Sequence, residues 1–214
     1  MNDRSLDANM LDRSQGTRET IRQAAERLIA RKSYGAVSMR DIAGAVGIRQ
    51  SAIYNHFPSK QAILAELMLT HMESLLEAWE EARLDDAPPA ERLAQFARFH
   101  IAHHFDQATA VFIAYMELRS LEGDNFAAVN ALRRRYELEV RAILADGVVA
   151  GAFHVPDVNV GARAIIAMLT GVTTWYREGG RLSRETIGEI YVDMTLKSVG
   201  LETGAGRSLC STNP

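Results

Sequence analysis

Three sets of side chains have types and spacings that could do chemistry. The first is His100, His103, His104 and Asp106. His100 and His104 stand at the i, i+4 spacing that lets two imidazoles on one helix share a metal ion. No His-Glu-x-x-His pattern accompanies them, and the single cysteine, Cys210, lies far along the chain. Packing on an amphipathic helix accounts for such a group, so no metal ligand is assigned. The second set is the paired carboxylates Glu80-Glu81 and Asp85-Asp86, which read as the solvated end of a charged helix. A ferritin-like carboxylate centre would need Glu-x-x-His on facing helices, and no such pair is found. There is no Gly-x-Ser-x-Gly, no glycine-rich phosphate loop and no usable cysteine nucleophile. No catalytic residue and no cofactor are expected, and the chain reads as not an enzyme.

The third set carries more. Residues 38–57 read SMRDIAGAVGIRQSAIYNHF. Ile42, Val46, Ile48 and Ile53 are spaced to fill the wedge between two short, steeply crossed helices. Ala43 is small where they approach, and Gly47 stands at the turn, where a left-handed backbone suits glycine. Left outward are Arg49, Gln50, Ser51, Ala52, Tyr54, Asn55 and His56. That face offers donors and acceptors and no acid, as base edges in a major groove require. Ser59 and Lys60 open the next helix, where free N–H groups suit a phosphate oxygen. On the residues alone, a generic three-helix module with a solvated polar face fits the same pattern.

The elements that must position this face are helical throughout. Ile21, Ala24, Ala25, Leu28 and Ile29 form one stripe, predicting a helix over about 17–32. Ser38 with Asp41 forms a capping-box-like start for a helix ending at Val46-Gly47. A third helix covers about 50–57, and Ser59 caps a long one over about 60–82. Further helices are predicted from Pro88-Pro89 to about Phe105, and over about 108–121, 125–149, 158–177 and 184–199. The fold class is all-α, with an N-terminal three-helix helix-turn-helix and a C-terminal helical domain. The expected division is a loose, disordered arm over 1–14, the helix-turn-helix domain over 15–62, a second helical domain over 63–200 and a disordered tail over 201–214.

Composition fits a globular protein: 214 residues, 47% hydrophobic and 24% charged. That excludes a mostly disordered chain, a collagen and a disulfide scaffold. The N-terminus has no apolar signal region and no run approaches the roughly 18 apolar residues of a membrane span, so a cytoplasmic protein is expected. The net charge of −3 is unevenly spread: residues 1–60 carry ten Lys/Arg against six Asp/Glu, and the rest fourteen against twenty-one. A basic front suits phosphate, and an acidic back does not.

The run TRETIRQAAERLIARKSYGAVSMRDIAGAVGIRQSAIYNHFPSKQAILAEL, from Thr17 to about Leu69, resembles the DNA-binding domain of the TetR family of bacterial transcriptional regulators. The opening Thr-Arg-Glu, the Tyr-Gly before Ser-Met-Arg-Asp-Ile-Ala, and above all Ile-Tyr-x-His-Phe-x-Ser-Lys carry the match. The resemblance implies that Ser38 and Arg40 meet phosphate and, for the arginine, sometimes a base. It places Gln50, Ser51 and Ala52 at the base-reading tip, and makes Tyr54, His56 and Lys60 backbone clamps. Asn55 stands where the family often has an aromatic or basic residue, which leaves its contact with a base open. Phosphate contacts position and base contacts specify. Lys60→Ala is thus expected to weaken all sequences alike, and Gln50→Ala to change the preferred one.

The resemblance also implies a homodimer on double-stranded operator DNA, joined through the last two helices. Their patterns suit this. Ile165, Leu169, Val172 and Tyr176 form one stripe, and Gly161, Ala164, Met168, Gly171 and Trp175 a neighbouring one. A helix apolar on two faces needs two partners, unless it is wholly buried within its own chain. Ile187, Ile190, Tyr191, Met194 and Val199 give the last helix an apolar face. Family members respond to a small hydrophobic effector. Candidate ligand-binding positions are Phe99, His103, Phe112, Tyr115, Met116, Arg119, Met168, Trp175, Tyr176 and Arg177, with Phe96, His100 and Glu117 beside them; for any one of these, ordinary core packing is the better reading. Residues 172–199, with Trp-Tyr-Arg before Gly-Gly and Leu-Ser opening the last helix, resemble acyl-CoA-responsive members. A cation among Arg119, Arg177 and Arg181 would then meet CoA phosphates. A drug, flavonoid or free fatty acid is the alternative effector.

Overall fold

The computed structural model describes the backbone of residues 3–201 and the side chains of residues 15–201. Among these residues there is no strand. Nine α-helices and a 3₁₀ turn follow one another: α1 (Asp3–Lys32), α2 (Met39–Val46), α3 (Gln50–Ile53), α4 (Lys60–Ala82), α5 (Pro89–Asp106), α6 (Ala108–Met116), the turn Leu118–Ser120, α7 (Gly123–Val149), α8 (Val158–Trp175) and α9 (Arg184–Ser198).

Helix starts follow from local chemistry. The Ser38 hydroxyl accepts from the Asp41 N–H at 3.2 Å, and the Asp41 carboxylate accepts from the Ser38 N–H at 2.9 Å, closing the capping box. Asp157 caps α8 by accepting from Asn159 and Val160 N–H groups at 2.8 and 3.0 Å. Gly47 ends α2 at φ 78°, and the Ile48 N–H reaches back to the Ala43 carbonyl at 3.0 Å.

Three boundaries differ from those read in the sequence. The expected loose arm over residues 1–14 is helical in its backbone from Asp3, continuous with α1. No proline interrupts it. Its side chains, and residues 202–214 of the expected tail, lie outside the described residues. α3 stops at Ile53 rather than near Phe57, because Asn55 and His56 N–H groups bond three residues back and Pro58 bars Phe57 from helical geometry. α6 stops at Met116 and passes into the 3₁₀ turn.

The chain forms two compact units. The first comprises Met1–Glu73 with Thr109–Ala131, and the second Ser74–Ala108 with Leu132–Pro214. In the first, Ile21, Ala25, Ile29, Ile42, Ile53, Phe57, Ile63 and Leu64 are fully buried, and Ile113, Ala114, Leu121 and Val129 complete the same core. More of α4 adds Ala65, Leu67 and Met68 to the helix-turn-helix core, and the segment 109–131 shares it within this unit. In the second unit Trp79 packs edge-on to Phe96, ring centroids 5.1 Å apart, and Leu93, Val140, Leu169 and Val172 are buried. At Gly147 a Cβ would overlap the Phe153 ring, so only glycine lets that buried ring close over α7.

Candidate nucleic-acid interface and ligand-binding region

Ile42, Ala43, Ile53 and Phe57 are buried and lock α2 against α3. Their partners in sequence are thereby turned to solvent. Ser38, Arg40, Arg49, Gln50, Ser51, Tyr54 and Asn55 are exposed; Ala52, His56, Ser59 and Lys60 are half-buried. Asp41 is the one acid between residues 38 and 60. Its carboxyl is held below the usual aspartate range by hydrogen bonds from the Ser38 hydroxyl and backbone, so it stays engaged in the cap. The face is cationic at Arg40 and Arg49 and hydrogen-bonding at Gln50 and Ser51, as groove recognition needs.

Two of the residues expected to meet phosphate have partners within the chain. The Lys60 ammonium turns inward: it donates to the Tyr34 and Val37 carbonyls at 2.8 and 2.7 Å and lies 4.0 Å from the Tyr34 ring centroid. It therefore fastens the loop between α1 and α2. The Ser38 hydroxyl is likewise engaged with Asp41, donating to its carboxylate at 2.5 Å. Ser59 caps α4 by accepting from the Ala62 N–H at 3.1 Å. Burial of the Tyr34 ring pushes its phenol up, so it stays neutral beneath the lysine.

Arg18 is a residue that sequence reasoning left without a role. Its guanidinium donates to both Glu66 oxygens and to the His56 carbonyl, and stacks 4.1 Å from the Phe57 ring centroid. It thus pins the end of the recognition segment to α1 and α4. The partners lie 38 and 48 residues away in sequence, a distance over which spacing gives no signal.

The ligand candidates are divided between the two units. Phe112, Tyr115, Met116 and Arg119 belong to the first unit and are exposed. In the second unit, Trp175, Tyr176 and Arg177 line a cleft of about 210 Å³ with Gly180, Arg181, Leu182 and Ile187. Phe99 packs between Trp79 and His103, centroids 5.3 and 5.5 Å away, and Met168 is half-buried on α8. Burial pushes the His103 imidazole down, toward its neutral form. His100 is buried and hydrogen-bonded to the Tyr136 and Thr170 hydroxyls at 3.1 and 3.0 Å, with the His104 ring stacked 3.7 Å away. Phe96 is a core residue. Glu117 lies in the first unit, bonded to the backbone of Tyr34. Among the described residues no group of three or more His, Cys, Asp or Glu side chains is arranged to hold a metal.

α8 and α9 present the double apolar character that their sequences carry. Ile165, Leu169, Val172 and Ile187 are buried, while Val160, Trp175 and Met194 are 64%, 51% and 44% exposed. Trp175 donates to the Tyr191 hydroxyl at 3.3 Å, joining the two outer faces.

The model of bacterial regulatory proteins of the tetR family matches residues 21–67, and the model of the tetracyclin repressor-like C-terminal domain matches residues 86–199. The chain belongs to the TetR family. It is a DNA-binding transcriptional regulator and not an enzyme. TetR regulators bind operator DNA as dimers and respond to small-molecule ligands. This regulator is 28% identical over 192 residues to the HTH-type transcriptional repressor KstR2 of Mycolicibacterium smegmatis, covering 87% of this chain and 92% of that one. It is similar to the crystal structure of PfmR from Thermus thermophilus, with 35% identity, a TM-score of 0.75 and coverage of 86% and 99%. It is also similar to AibR in complex with isovaleryl coenzyme A and operator DNA, with 27% identity, a TM-score of 0.77 and coverage of 83% and 97%. Among the described residues of this regulator no helix is long and apolar enough to cross a membrane.

Proposed function

We propose that this regulator is a cytoplasmic repressor that binds a palindromic operator as a homodimer and leaves it when an acyl-CoA thioester binds. Residues 15–62 read DNA, and residues 63–200 bind the effector and dimerise. Gln50, Ser51 and Ala52 meet bases; Arg40, Arg49, Tyr54 and His56 meet the backbone. The outer faces of α8 and α9, with Val160, Trp175 and Met194 open to solvent, are the dimer seam. Exposed apolar side chains continuous over two helices are what a four-helix interface buries.

The observation that carries the effector class is the cleft at the end of α8, where Trp175 and Tyr176 stand beside Arg177 and Arg181. Apolar walls beside two guanidiniums suit an acyl thioester whose far end carries phosphates. The relative AibR, seen with isovaleryl coenzyme A and operator DNA, supports the same class. Effector binding changes the spacing of the two reading heads, which must stay about 34–36 Å apart to meet successive major grooves. By linkage the operator weakens effector binding by the same factor. The test is operator affinity with isovaleryl-CoA, a long-chain acyl-CoA and a steroid-derived acyl-CoA, each against its free acid. Release by a thioester alone is expected. Equal shifts by thioester and acid, or none, would overturn the thioester reading.

A further inference from the structure

The loop between α1 and α2 fixes where α2 begins, and α2 carries α3 and its reading face. Within the first unit that loop is gripped from two sides. From α4, the Lys60 ammonium donates to the Tyr34 and Val37 carbonyls. From the end of α6, the Glu117 carboxylate accepts the Tyr34 N–H at 2.8 Å, across 83 residues of sequence. Its other oxygen accepts from the Ser120 hydroxyl at 2.8 Å, and Gln61, next to Lys60, donates to the Ser120 carbonyl at 2.6 Å. The peptide groups of one loop residue are thus held by an anion on one side and a cation on the other.

Glu117 is not needed to end its own helix. Its N–H bonds to the Ile113 carbonyl, and its carbonyl takes the Ser120 N–H, both at 2.9 Å, so the backbone closes α6 unaided. A buried acid is costly unless its oxygens are used. Glu117 is buried, and both oxygens are engaged, one of them on the loop that enters the helix-turn-helix.

We propose that Glu117 is a positioning residue for operator binding: through the Tyr34 N–H its carboxylate sets the 33–37 loop and so the placement of α2. The 3₁₀ segment 118–120 and the reading face then belong to one hydrogen-bonded lattice. Reciprocity follows, since an operator that fixes α2 must also steady residues 117–121.

The test uses the full chain, a duplex carrying its operator, and amide exchange read by mass spectrometry. In Glu117→Ala, exchange at residues 33–38 should speed roughly tenfold or more while residues 63–68 of α4 stay protected. Operator affinity should fall about tenfold, or about 1.4 kcal/mol. Operator-induced protection at 117–121, present in the wild type, should vanish. Glu117→Gln keeps an acceptor for the Tyr34 N–H and should restore all three. A purely structural role would loosen the unit evenly and leave the operator-induced protection in place; that result, or wild-type affinity in Glu117→Ala, overturns the proposal. Should Glu117→Ala not fold, Ser120→Ala, which releases one carboxylate oxygen, replaces it, and unchanged exchange at 33–38 with unchanged affinity is then the overturning result. A wild-type chain that binds no duplex would instead contradict the regulator reading itself.

Discussion

Lys60 offers the sharpest separation between two ways a cation can serve a DNA-binding protein. The residue opens α4, where a phosphate would be expected, yet its ammonium is directed at two carbonyls and one aromatic ring. In Lys60→Ala both charge-assisted hydrogen bonds and the ring contact are lost. Such bonds are worth about 1.5–3 kcal/mol each when sheltered, and half-exposure reduces this. The ring adds about 0.5–1 kcal/mol, for a local loss of about 2–3 kcal/mol per subunit. The loop must then be ordered when DNA binds, weakening each half-site by about 1–2 kcal/mol, or roughly five- to thirtyfold. The decisive assay is the salt dependence of operator affinity. Each phosphate contact contributes about −0.9 to the slope of log K against log salt, so two symmetry-related lysines on phosphate would contribute about −1.8. An inward-facing ammonium contributes nothing. Lys60→Ala should therefore bind more weakly to every sequence with the wild-type slope. A slope shallower by about 1.8 would refute the inward placement.

The remaining predictions follow the same division of roles. Gln50→Ala should alter which operator variant is preferred and leave the salt slope unchanged; equal losses across all variants in a binding titration would contradict its base-reading role. Gly47→Ala should cost about 1–2 kcal/mol through backbone strain alone, since a Cβ there meets nothing within 4 Å. Thermal melts showing no loss would contradict the positive φ at that turn. Ser38→Ala should destabilise more at neutral pH than in acid, where only the bond from the Asp41 N–H remains to be lost. The Asp41 carboxyl is lowered by the Ser38 hydrogen bonds, so the cap contributes above the ordinary aspartate range and fades as pH falls through the depressed value. A melting-temperature difference that is as large well below that range as at neutral pH would count against it.

The fold class was legible because amphipathic stripes and caps are local. Ser38 with Asp41, the turn at Gly47 and the stripe Ile21 to Ile29 all act within one or two helical turns, and each stands where periodicity placed it. The exposure of the recognition face was legible for the same reason, because burial of Ile53 and Phe57 fixes what remains outside. The inward turn of Lys60, the guanidinium of Arg18 and the bond from Glu117 to Tyr34 were not. They join residues 23 to 83 positions apart, and single-sequence spacing has no signal at that range. A charged residue near a helix start reads as a phosphate ligand until its partners are seen. The ligand region was the least legible, since the aromatic and methionine side chains that line pockets also fill cores. Phe96 is one such core residue, and Phe112 and Met116 are exposed in the other unit.

The most direct measurement is selection of sheared genomic DNA from the source organism by the purified full chain, with sequencing of the bound fragments at two salt concentrations. A short palindrome enriched upstream of a few genes, with binding that falls steeply as salt rises, is expected of a dimeric regulator whose reading face is the α2–α3 surface. Fragments with no common palindrome, retained equally at both salt concentrations, would contradict sequence-specific operator binding.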